Sequence, residues 1–212
     1  MKKLLIAIDG PSASGKSTIA KNLSNYYNIP FLNTGSLYRA LAYLACQNSL
    51  SENDIDKIVN LTDQIQDLDL ELPEIHNEIT GKFASKIAQE TKIRQALFDL
   101  QINFKNQSLD KYNGAILEGR DIGSIICPEA EFKFFVILDV KIRAKRRYAQ
   151  LQKLNPTIKY KEILKDLEKR DYNDKNRKIA PLIKTKDAVE INNSYDPKII
   201  LEQITKIIND KN

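Results

Sequence analysis

A glycine-rich segment between an apolar run and a helical pattern constrains the fold of this chain more than any other feature. The segment runs from Gly10 to Thr18 with the sequence Gly-Pro-Ser-Ala-Ser-Gly-Lys-Ser-Thr, which matches the phosphate-binding loop known as Walker A. Gly10 and Gly15 can adopt backbone angles closed to other residues, so successive N–H groups can point at phosphate oxygens. The helix that follows adds the positive end of its dipole. We therefore predict a strand, a phosphate-binding loop and a helix, in that order.

Two side chains at the end of the loop predict how a nucleotide is held. Lys16 is expected to bridge the β- and γ-phosphates of ATP, and the Ser17 hydroxyl to bind Mg²⁺. The alternative is an ordinary glycine-containing turn with an exposed lysine, but here the strand and helix context of the motif is present as well. The ATP-binding residues predicted from the loop are Gly10, Pro11, Ser12, Ala13, Ser14, Gly15, Lys16, Ser17 and Thr18. The loop leaves open which molecule receives the phosphate.

Length, charge and cysteine content narrow the class of protein. A chain of 212 residues with 42% hydrophobic residues can bury a core, and one domain is expected. The apolar run near the start breaks at Asp9, too early for a signal sequence, and no stretch approaches the ~20 apolar residues of a membrane span. Two distant cysteines favour reduced thiols in the cytoplasm. We expect a soluble cytoplasmic monomer without a membrane partner.

The net charge of +5 and the pI near 9.0 favour anionic partners. Nucleotides, nucleic acids and membrane surfaces are all anionic partners of this kind. A nucleic acid polymer is the weaker prediction, because the chain lacks an aromatic RNA-binding signature and its basic residues are spread through the second half.

Apolar runs predict the strands. The order of strand, loop, helix and strand at the start is the opening of a doubly wound α/β fold with a parallel sheet. The strongest run, Phe132 to Leu138, is expected at the centre of the sheet. The predicted strands are Lys3–Ile8, Ile29–Leu32, a half-exposed alternating strand at Asp67–Leu72, Ala115–Leu117, Phe132–Leu138 and Ala188–Ile191.

Helical periodicity and capping residues predict the helices. The turn from Asn33 to Ser36 is expected to cap the second helix. A weak turn or strand is predicted at His76–Gly81, and a polar loop at Asn173–Lys178. The predicted helices are Lys16–Tyr26, Leu37–Gln47, a stretch from Ser51 to about Gln66, Lys82–Ser108 as one broken or two helices, Lys141–Lys153, Ile158–Tyr172 and a closing helix from Pro197 to Ile208.

Four motifs in one order carry a family resemblance. They are Ile8-Asp9-Gly10-Pro11-Ser12 leading into the loop, Thr34-Gly35-Ser36-Leu37-Tyr38-Arg39, Gly119-Arg120-Asp121-Ile122-Gly123, and the stretch from Arg170 to Arg177 with Ala180-Pro181-Leu182. Together, along nearly the whole chain, these motifs resemble those of bacterial cytidylate (CMP) kinases.

The resemblance implies a P-loop NTPase fold, in which helices flank a five-stranded parallel sheet. One domain would span residues 1–212, with its core in 1–36, 113–146 and 179–212. An insertion at about 37–112 would bind the nucleoside monophosphate, and a short mobile lid at about 147–178 would cover ATP. The implied reaction transfers the γ-phosphoryl group of Mg·ATP to CMP or dCMP, giving ADP and CDP or dCDP.

The resemblance also implies roles for individual residues. Lys16, Arg120, Arg170 and Arg177 would be catalytic, since arginines at loop or element ends can grip phosphate oxygens and neutralise developing charge. Thr34 and Asp174 would lie near the ribose. Asp121 would accept from the cytosine amine, whereas the uracil carbonyl would face it with a second acceptor. The full predicted set for the acceptor is Thr34, Tyr38, Arg39, Ser85, Arg94, Arg120, Asp121 and Asp174.

Several assignments keep an alternative. Arg143 and Arg146 are expected near ATP, within a basic helix whose other charges form a solvated face. Asp121 can instead orient Arg120. Glu118 stands where the family has an aspartate that can hold a metal-bound water, and Asp139 is a minor Mg²⁺ candidate. The activity itself has two alternatives, another nucleoside monophosphate kinase using UMP or AMP, or a regulatory module that binds ATP through its P-loop.

Overall fold

The computed structural model describes residues 3–153 and 156–211. It divides into two compact units: a larger unit formed by Met1–Phe31 with Ser108–Asn212, and a smaller unit, Leu32–Gln107. The predicted boundaries of the insertion and the lid stay predictions, and Leu154 and Asn155 of the lid lie outside the described residues.

Five strands and eight α-helices make up the regular structure of the described residues. A 3₁₀ turn spans Thr62–Asp67, and a π-helical turn spans Ile122–Ile126. The strands are β1 (Leu4–Asp9), β2 (Phe31–Asn33), β3 (Gly114–Gly119), β4 (Phe132–Ile137) and β5 (Val189–Asn192). The helices are α1 (Lys16–Tyr27), α2 (Thr34–Gln47), α3 (Ile55–Val59), α4 (Glu78–Ile87), α5 (Thr91–Tyr112), α6 (Val140–Gln152), α7 (Tyr160–Asn176) and α8 (Pro197–Lys211).

The strands form one sheet in the order β2-β3-β1-β4-β5. β1 pairs in parallel with β3 and with β4, and β4 pairs in parallel with β5. The predicted five-stranded parallel sheet is confirmed. The prediction that the strand at Phe132–Leu138 is central is wrong, because β1 occupies that position. An apolar run shows that a strand is covered on both faces, and this is true of β1 and β4 alike.

The core of the larger unit lies between the sheet and two helices. Ile200, Ile204 and Ile208 of α8 recur every fourth residue, so they share one face of the helix and are buried together. They join Ile19 and Leu23 of α1 in the same cluster as the strand residues. This packing fixes β1 and α1, the two elements that the phosphate-binding loop connects.

Helices make up most of the smaller unit, where α2 packs against α4 and α3. The predicted strand at Asp67–Leu72 is wrong, because the segment forms turns in which the Asp69 carboxylate accepts from the Glu71 N–H at 2.9 Å. Alternation of polar and apolar residues fits a strand only where a neighbouring strand is available to pair. The stretch predicted as one helix from Ser51 is shorter, comprising α3 and the 3₁₀ turn.

Three boundaries also differ from the prediction. Thr34–Ser36 is the first turn of α2 rather than a turn that precedes it. The segment predicted as a weak turn or strand at His76–Gly81 contains the start of α4, where the Asn77 side chain accepts from the Thr80 N–H at 2.8 Å. Helix α7 continues to Asn176, through most of the predicted polar loop, so Asp174 is a helical residue.

Candidate active site

The loop between β1 and α1 has the backbone that its glycines predict. Gly10 has φ +155° and Gly15 has φ +89°. A Cβ atom at Gly10 would lie 2.4 Å from the Val136 carbonyl oxygen, and one at Gly15 would lie 2.1 Å from Asn193 Nδ2. Gly15 is also the N-cap of α1, so no capping side chain bonds to the first-turn N–H groups. The loop therefore offers backbone donors at a helix N-terminus, as an anion site requires.

Lys16 is buried at the start of α1, and its Nζ donates to the Pro11 carbonyl at 2.9 Å. Burial, followed by the nearby positive charge of Arg120, lowers the pKa of Lys16 to about 7. Two cationic side chains thus lie close together at the loop. The carboxylates of Glu118, Asp174 and Asp9 offset part of this lowering, because opposite charges favour the charged form of the lysine.

Ser17 and Glu118 form the second contact at the loop. The Ser17 hydroxyl donates to Oε1 of Glu118 at 2.5 Å. Glu118 is the fifth residue of the fully buried strand β3 and is itself buried. The sheet therefore presents a carboxylate to the hydroxyl that is predicted to bind metal.

The residues after β3 pair with the last turns of α7. Arg120 Nε donates to Oδ2 of Asp174 at 2.7 Å, and Arg177 Nη2 lies 3.5 Å from Oδ1 of Asp121. Burial disfavours the charge of Arg120, but the Asp174 carboxylate outweighs it, so the pKa of the guanidinium is raised. Two of the arginines that were expected to contact phosphate, Arg120 and Arg177, therefore lie beside carboxylates of the larger unit.

Arg143 and Arg146 of helix α6, both expected near ATP, have different surroundings. Arg143 is buried, donates to the carbonyls of Leu138 and Ser12 at 2.9 Å each, and pairs with Asp171. Arg146 lines a cavity of about 380 Å³ beside the loop. The other residues that line this cavity include Ala13–Ile19, Asn22, Arg147, Gln150, Asn193, Tyr195, Pro197 and Leu201. The cavity adjoins the loop where the rest of a bound nucleotide would extend.

The two arginines of the smaller unit, Arg39 and Arg94, donate hydrogen bonds to backbone oxygens. Arg39 Nη1 donates to the carbonyls of Ile75 and Asn77 at 3.2 and 3.1 Å. Its guanidinium also lies against Gly81, where a Cβ atom would meet it at 2.7 Å. Arg39 lies within α2, and Arg170 lies within α7 rather than at an element end as predicted.

Four more residues predicted to bind the acceptor lie in the same unit. Arg94 Nη1 donates to the Ala88 carbonyl at 3.3 Å, and its Cζ lies 5.8 Å from the centre of the Tyr38 ring. Thr34 is buried at the start of α2, and Ser85 is half-buried in α4. The fold thus brings Arg94 and Tyr38 together, and the roles of all four stay predictions.

The chain was compared with protein families and with known proteins. The family model described as cytidylate kinase matches residues 6–210. A cytidylate kinase from Clostridium tetani is 36% identical over 220 residues, covering 97% of this chain and 94% of that protein. One from Bartonella tribocorum is 41% identical over 182 residues, covering 86% and 83%.

The chain belongs to the cytidylate kinase family. The family predicted from the four motifs is confirmed. Among solved structures, a sugar kinase from Janibacter sp. has a TM-score of 0.53 at 9% identity, covering 98% of this chain and 95% of that one. A gluconokinase from Sinorhizobium meliloti has a TM-score of 0.51 at 9% identity, covering 98% and 93%. These two likenesses concern the fold alone.

The sequence reasoning missed one structural link of this cytidylate kinase fold. The buried Asp9 carboxylate, at the end of β1, accepts from the N–H groups of Ile122 and Gly123 at 2.8 and 2.7 Å. Burial raises the pKa of Asp9 to about 6, against the lowering effect of the two backbone N–H groups. Asp9 thereby ties the start of the phosphate-binding loop to the π-helical turn after Arg120 and Asp121. The signals in the sequence were the place of Asp9 in the first family motif and its position at the end of an apolar strand.

Asp139 has a helix-capping role in the structure. Its Oδ1 accepts from the N–H groups of Lys141 and Ile142 at 2.8 and 3.3 Å, which makes it the N-cap of α6. No cluster of three or more His, Cys, Asp or Glu side chains suited to a metal occurs within 3–153 and 156–211. Over the same ranges, no helix is both long and apolar enough to cross a bilayer.

Proposed function

We propose that this protein transfers the γ-phosphoryl group of ATP to CMP or dCMP, giving ADP and CDP or dCDP. The observation that carries the proposal is the pair of cations at the loop. Burial and the charge of Arg120 lower the pKa of Lys16 to about 7. A phosphoryl group in transfer would add negative charge beside Lys16, where the repulsion from Arg120 disfavours the charged form of the lysine. The family membership of the chain and the cytidylate kinase relatives support the same reaction.

The chemistry demands little covalent help from the protein. An oxygen of the CMP phosphate attacks the γ-phosphorus, the bond from that phosphorus to the β,γ-bridging oxygen breaks, and ADP leaves with that oxygen. Charge accumulates on the oxygens of the group in transfer, so catalysis depends on positioned donors. We assign these roles to Lys16, Arg120, Arg170 and Arg177. The loop from Gly10 to Thr18 holds the ATP phosphates, and Arg146 lies in the cavity that would take the rest of ATP.

The oxygen donors at the loop fit a magnesium ion bound with ATP. Mg²⁺ prefers hydroxyl, carboxylate and phosphate oxygens and keeps several waters. The Ser17 hydroxyl and the Glu118 carboxylate are such groups, and the hydroxyl donates a hydrogen bond to the carboxylate. Ser17 directly follows Lys16 in the sequence. When bound, the ion would neutralise charge on the ATP phosphates.

The acceptor assignments follow the family motifs. Asp121 would read the cytosine amine, because a carboxylate can only accept hydrogen bonds. Asp174 and Thr34 would contact the ribose, and Arg39 the phosphate of CMP. Ser85, Arg94 and Tyr38 complete the proposed acceptor set. We also propose that the segment 147–178 acts as a lid, and that the enzyme works in the cytoplasm as a monomer.

A panel of acceptors tests the function. ADP formation is measured with Mg·ATP alone and then with CMP, dCMP, UMP or AMP. We expect slow ADP formation without an acceptor and a large increase with CMP or dCMP. Equal rates with and without CMP would make the chain a plain ATPase or a regulatory module, and faster use of UMP or AMP would make it another monophosphate kinase.

An Asp121→Asn variant tests the base assignment. The amide can donate as well as accept, so discrimination between CMP and UMP should shrink by roughly 1 to 3 kcal/mol, about the cost of one unsatisfied buried polar group. The kcat/KM values for CMP and UMP are compared in both proteins. An unchanged ratio would show that Asp121 does not read the base.

A further inference from the structure

One face of α7 carries charged residues that pair with α6 and with the segment that follows β3. Asp171 and Asp174 are three residues apart, and Arg177 follows three residues later as the C-cap, so the three side chains lie along one side of the helix. Asp171 pairs with Arg143, Asp174 with Arg120, and Arg177 with Asp121. The proposed function uses Asp174 and Arg177. It gives no role to Asp171.

The Asp171 pair extends to the phosphate-binding loop. Arg143 Nη1 donates to Oδ1 of Asp171 at 3.0 Å and to the Ser12 carbonyl at 2.9 Å, while Nη2 contacts the second carboxylate oxygen. The pair is therefore bidentate, which fixes the plane of the guanidinium. The Arg143 side chain is only 4% exposed and that of Asp171 17%. Removing one partner would leave a charge buried without compensation.

These contacts form a continuous chain of bonds from the loop to Arg120. It runs from the Ser12 carbonyl through Arg143 to Asp171, then along one turn of α7 to Asp174, and from there to Arg120. Every member belongs to the larger unit. A shift of the loop around a nucleotide phosphate would move the Ser12 carbonyl, and with it the helix that carries Asp174.

We propose that Asp171 is a positioning residue that couples occupancy of the phosphate-binding loop to the order of α7 and, through Asp174, to Arg120. It contacts neither ATP nor the acceptor, and it acts by holding Arg143 against the loop. The second half of the inference, coupling between ATP and CMP, rests on the proposed function. Coupling between two ligand sites typically changes affinity roughly 5- to 150-fold.

Hydrogen exchange tests whether occupancy of the phosphate-binding loop orders α7, and this test needs no acceptor. The non-hydrolysable analogue adenylyl imidodiphosphate with Mg²⁺ is added to wild type, Asp171→Asn and Glu168→Gln. Glu168 is exposed on the same helix, and its substitution removes the same charge. We expect the analogue to slow exchange of amides in 160–176 in wild type and Glu168→Gln, but not in Asp171→Asn. Equal slowing in Asp171→Asn would overturn the proposal.

Calorimetry tests whether the binding of ATP and of CMP is coupled. CMP is titrated into each protein with and without saturating analogue, and the ratio of the two dissociation constants is the coupling factor. We expect a factor of about 5 or more in wild type and Glu168→Gln, and a factor near 1 in Asp171→Asn. A factor in Asp171→Asn equal to that of wild type would overturn the coupling. CMP that fails to bind any of the proteins would instead contradict the proposed function, while the exchange result would still decide the role of Asp171.

If Asp171→Asn does not fold, a second variant, Arg143→Lys, tests the same proposal. Arg143→Lys keeps the positive charge, but a single ammonium group lacks the planar fork that bonds Ser12 and both Asp171 oxygens together. The same loss of exchange protection and of coupling is expected, with the fold checked by circular dichroism. Retention of both in Arg143→Lys would overturn the proposal.

Discussion

The arginines of the two units are held in different ways. In the larger unit, Arg120 and Arg143 pair with the carboxylates of Asp174 and Asp171. In the smaller unit, Arg39 donates to the carbonyls of Ile75 and Asn77, and Arg94 donates to the Ala88 carbonyl and lies over the Tyr38 ring. A carbonyl is a neutral acceptor, so a bound phosphate can replace it without leaving a charge behind.

This difference separates positioning from binding. Breaking a buried ion pair leaves an uncompensated charge, which costs about 3–5 kcal/mol. Losing a neutral hydrogen bond costs about 0.5–1.5 kcal/mol. Substitutions at ion pairs of the larger unit should therefore affect stability as well as catalysis, whereas Arg39 should affect mainly the binding of the acceptor.

The largest expected effect is on catalysis at the loop. Lys16→Ala and Arg120→Ala should each lower kcat about 10³-fold, because positioned cations of this kind act mainly in the transition state. Neither change should unfold the protein, but Arg120→Ala should lower the free energy of unfolding because it breaks the pair with Asp174. Burial already disfavours the charge of Lys16, so Lys16→Ala should leave the free energy of unfolding unchanged or higher. Kinetics and thermal unfolding are measured together, and near-normal turnover in a folded variant would contradict the assignment.

Arg143→Ala and Arg39→Ala compare the stability contributed by an ion pair of the larger unit with that contributed by carbonyl hydrogen bonds of the smaller unit. Arg143→Ala should lower the free energy of unfolding by about 3 kcal/mol, because it strands the Asp171 carboxylate. Arg39→Ala removes the hydrogen bonds to the Ile75 and Asn77 carbonyls and should cost about 1–2 kcal/mol while raising the KM for CMP. Chemical denaturation gives the stabilities. Equal losses of stability in the two variants would mean that the contrast between the units is unfounded.

The smallest effect is a proton taken up on ATP binding. Without ATP the pKa of Lys16 is about 7, so at pH 8 most of the side chain is neutral. Anionic phosphates favour the charged form, so binding should take up close to one proton at pH 8. Calorimetry in two buffers with different ionisation enthalpies measures the uptake. Lys16→Met should abolish it, and identical uptake in that variant would place the proton elsewhere.

The same pKa fixes the sign of one contribution to stability. The unfolded chain holds the Lys16 proton up to its ordinary pKa of 10.5, whereas the folded protein releases it near 7. Between these values the unfolded state binds more protons, so the Lys16 contribution to the free energy of unfolding rises with pH. Bound ATP raises the folded pKa and should flatten this rise.

Local patterns predicted the loop and the five strands that form, whereas the five-stranded parallel sheet was implied by the family resemblance. Gly10 and Gly15 encode backbone angles that other residues rarely adopt, and the apolar runs of β1 and β4 encode burial. The alternation at Asp67–Leu72 failed because strand formation depends on a pairing partner that the local sequence does not reveal.

Hydrogen-bonded pairs of residues that are distant in the sequence could not be predicted from local sequence patterns. Asp9 bonds to Ile122, 113 positions away, and Arg143 bonds to Asp171, 28 positions away. An acidic residue after a strand, or within a charged helix, looks the same whether it is solvated or buried against such a partner. Family motifs drew attention to the stretches that hold Asp9 and Asp171, but the positioning roles of both residues come from the fold.

The most direct test of the account follows the phosphoryl group itself. ATP labelled at the γ-phosphate is incubated with Mg²⁺ and CMP, and the products are separated by chromatography. We expect the label in CDP in wild type, with little in inorganic phosphate, and almost none transferred by Lys16→Ala. Label that appears as inorganic phosphate at the same rate with and without CMP, with none in CDP, would contradict the proposed phosphoryl transfer.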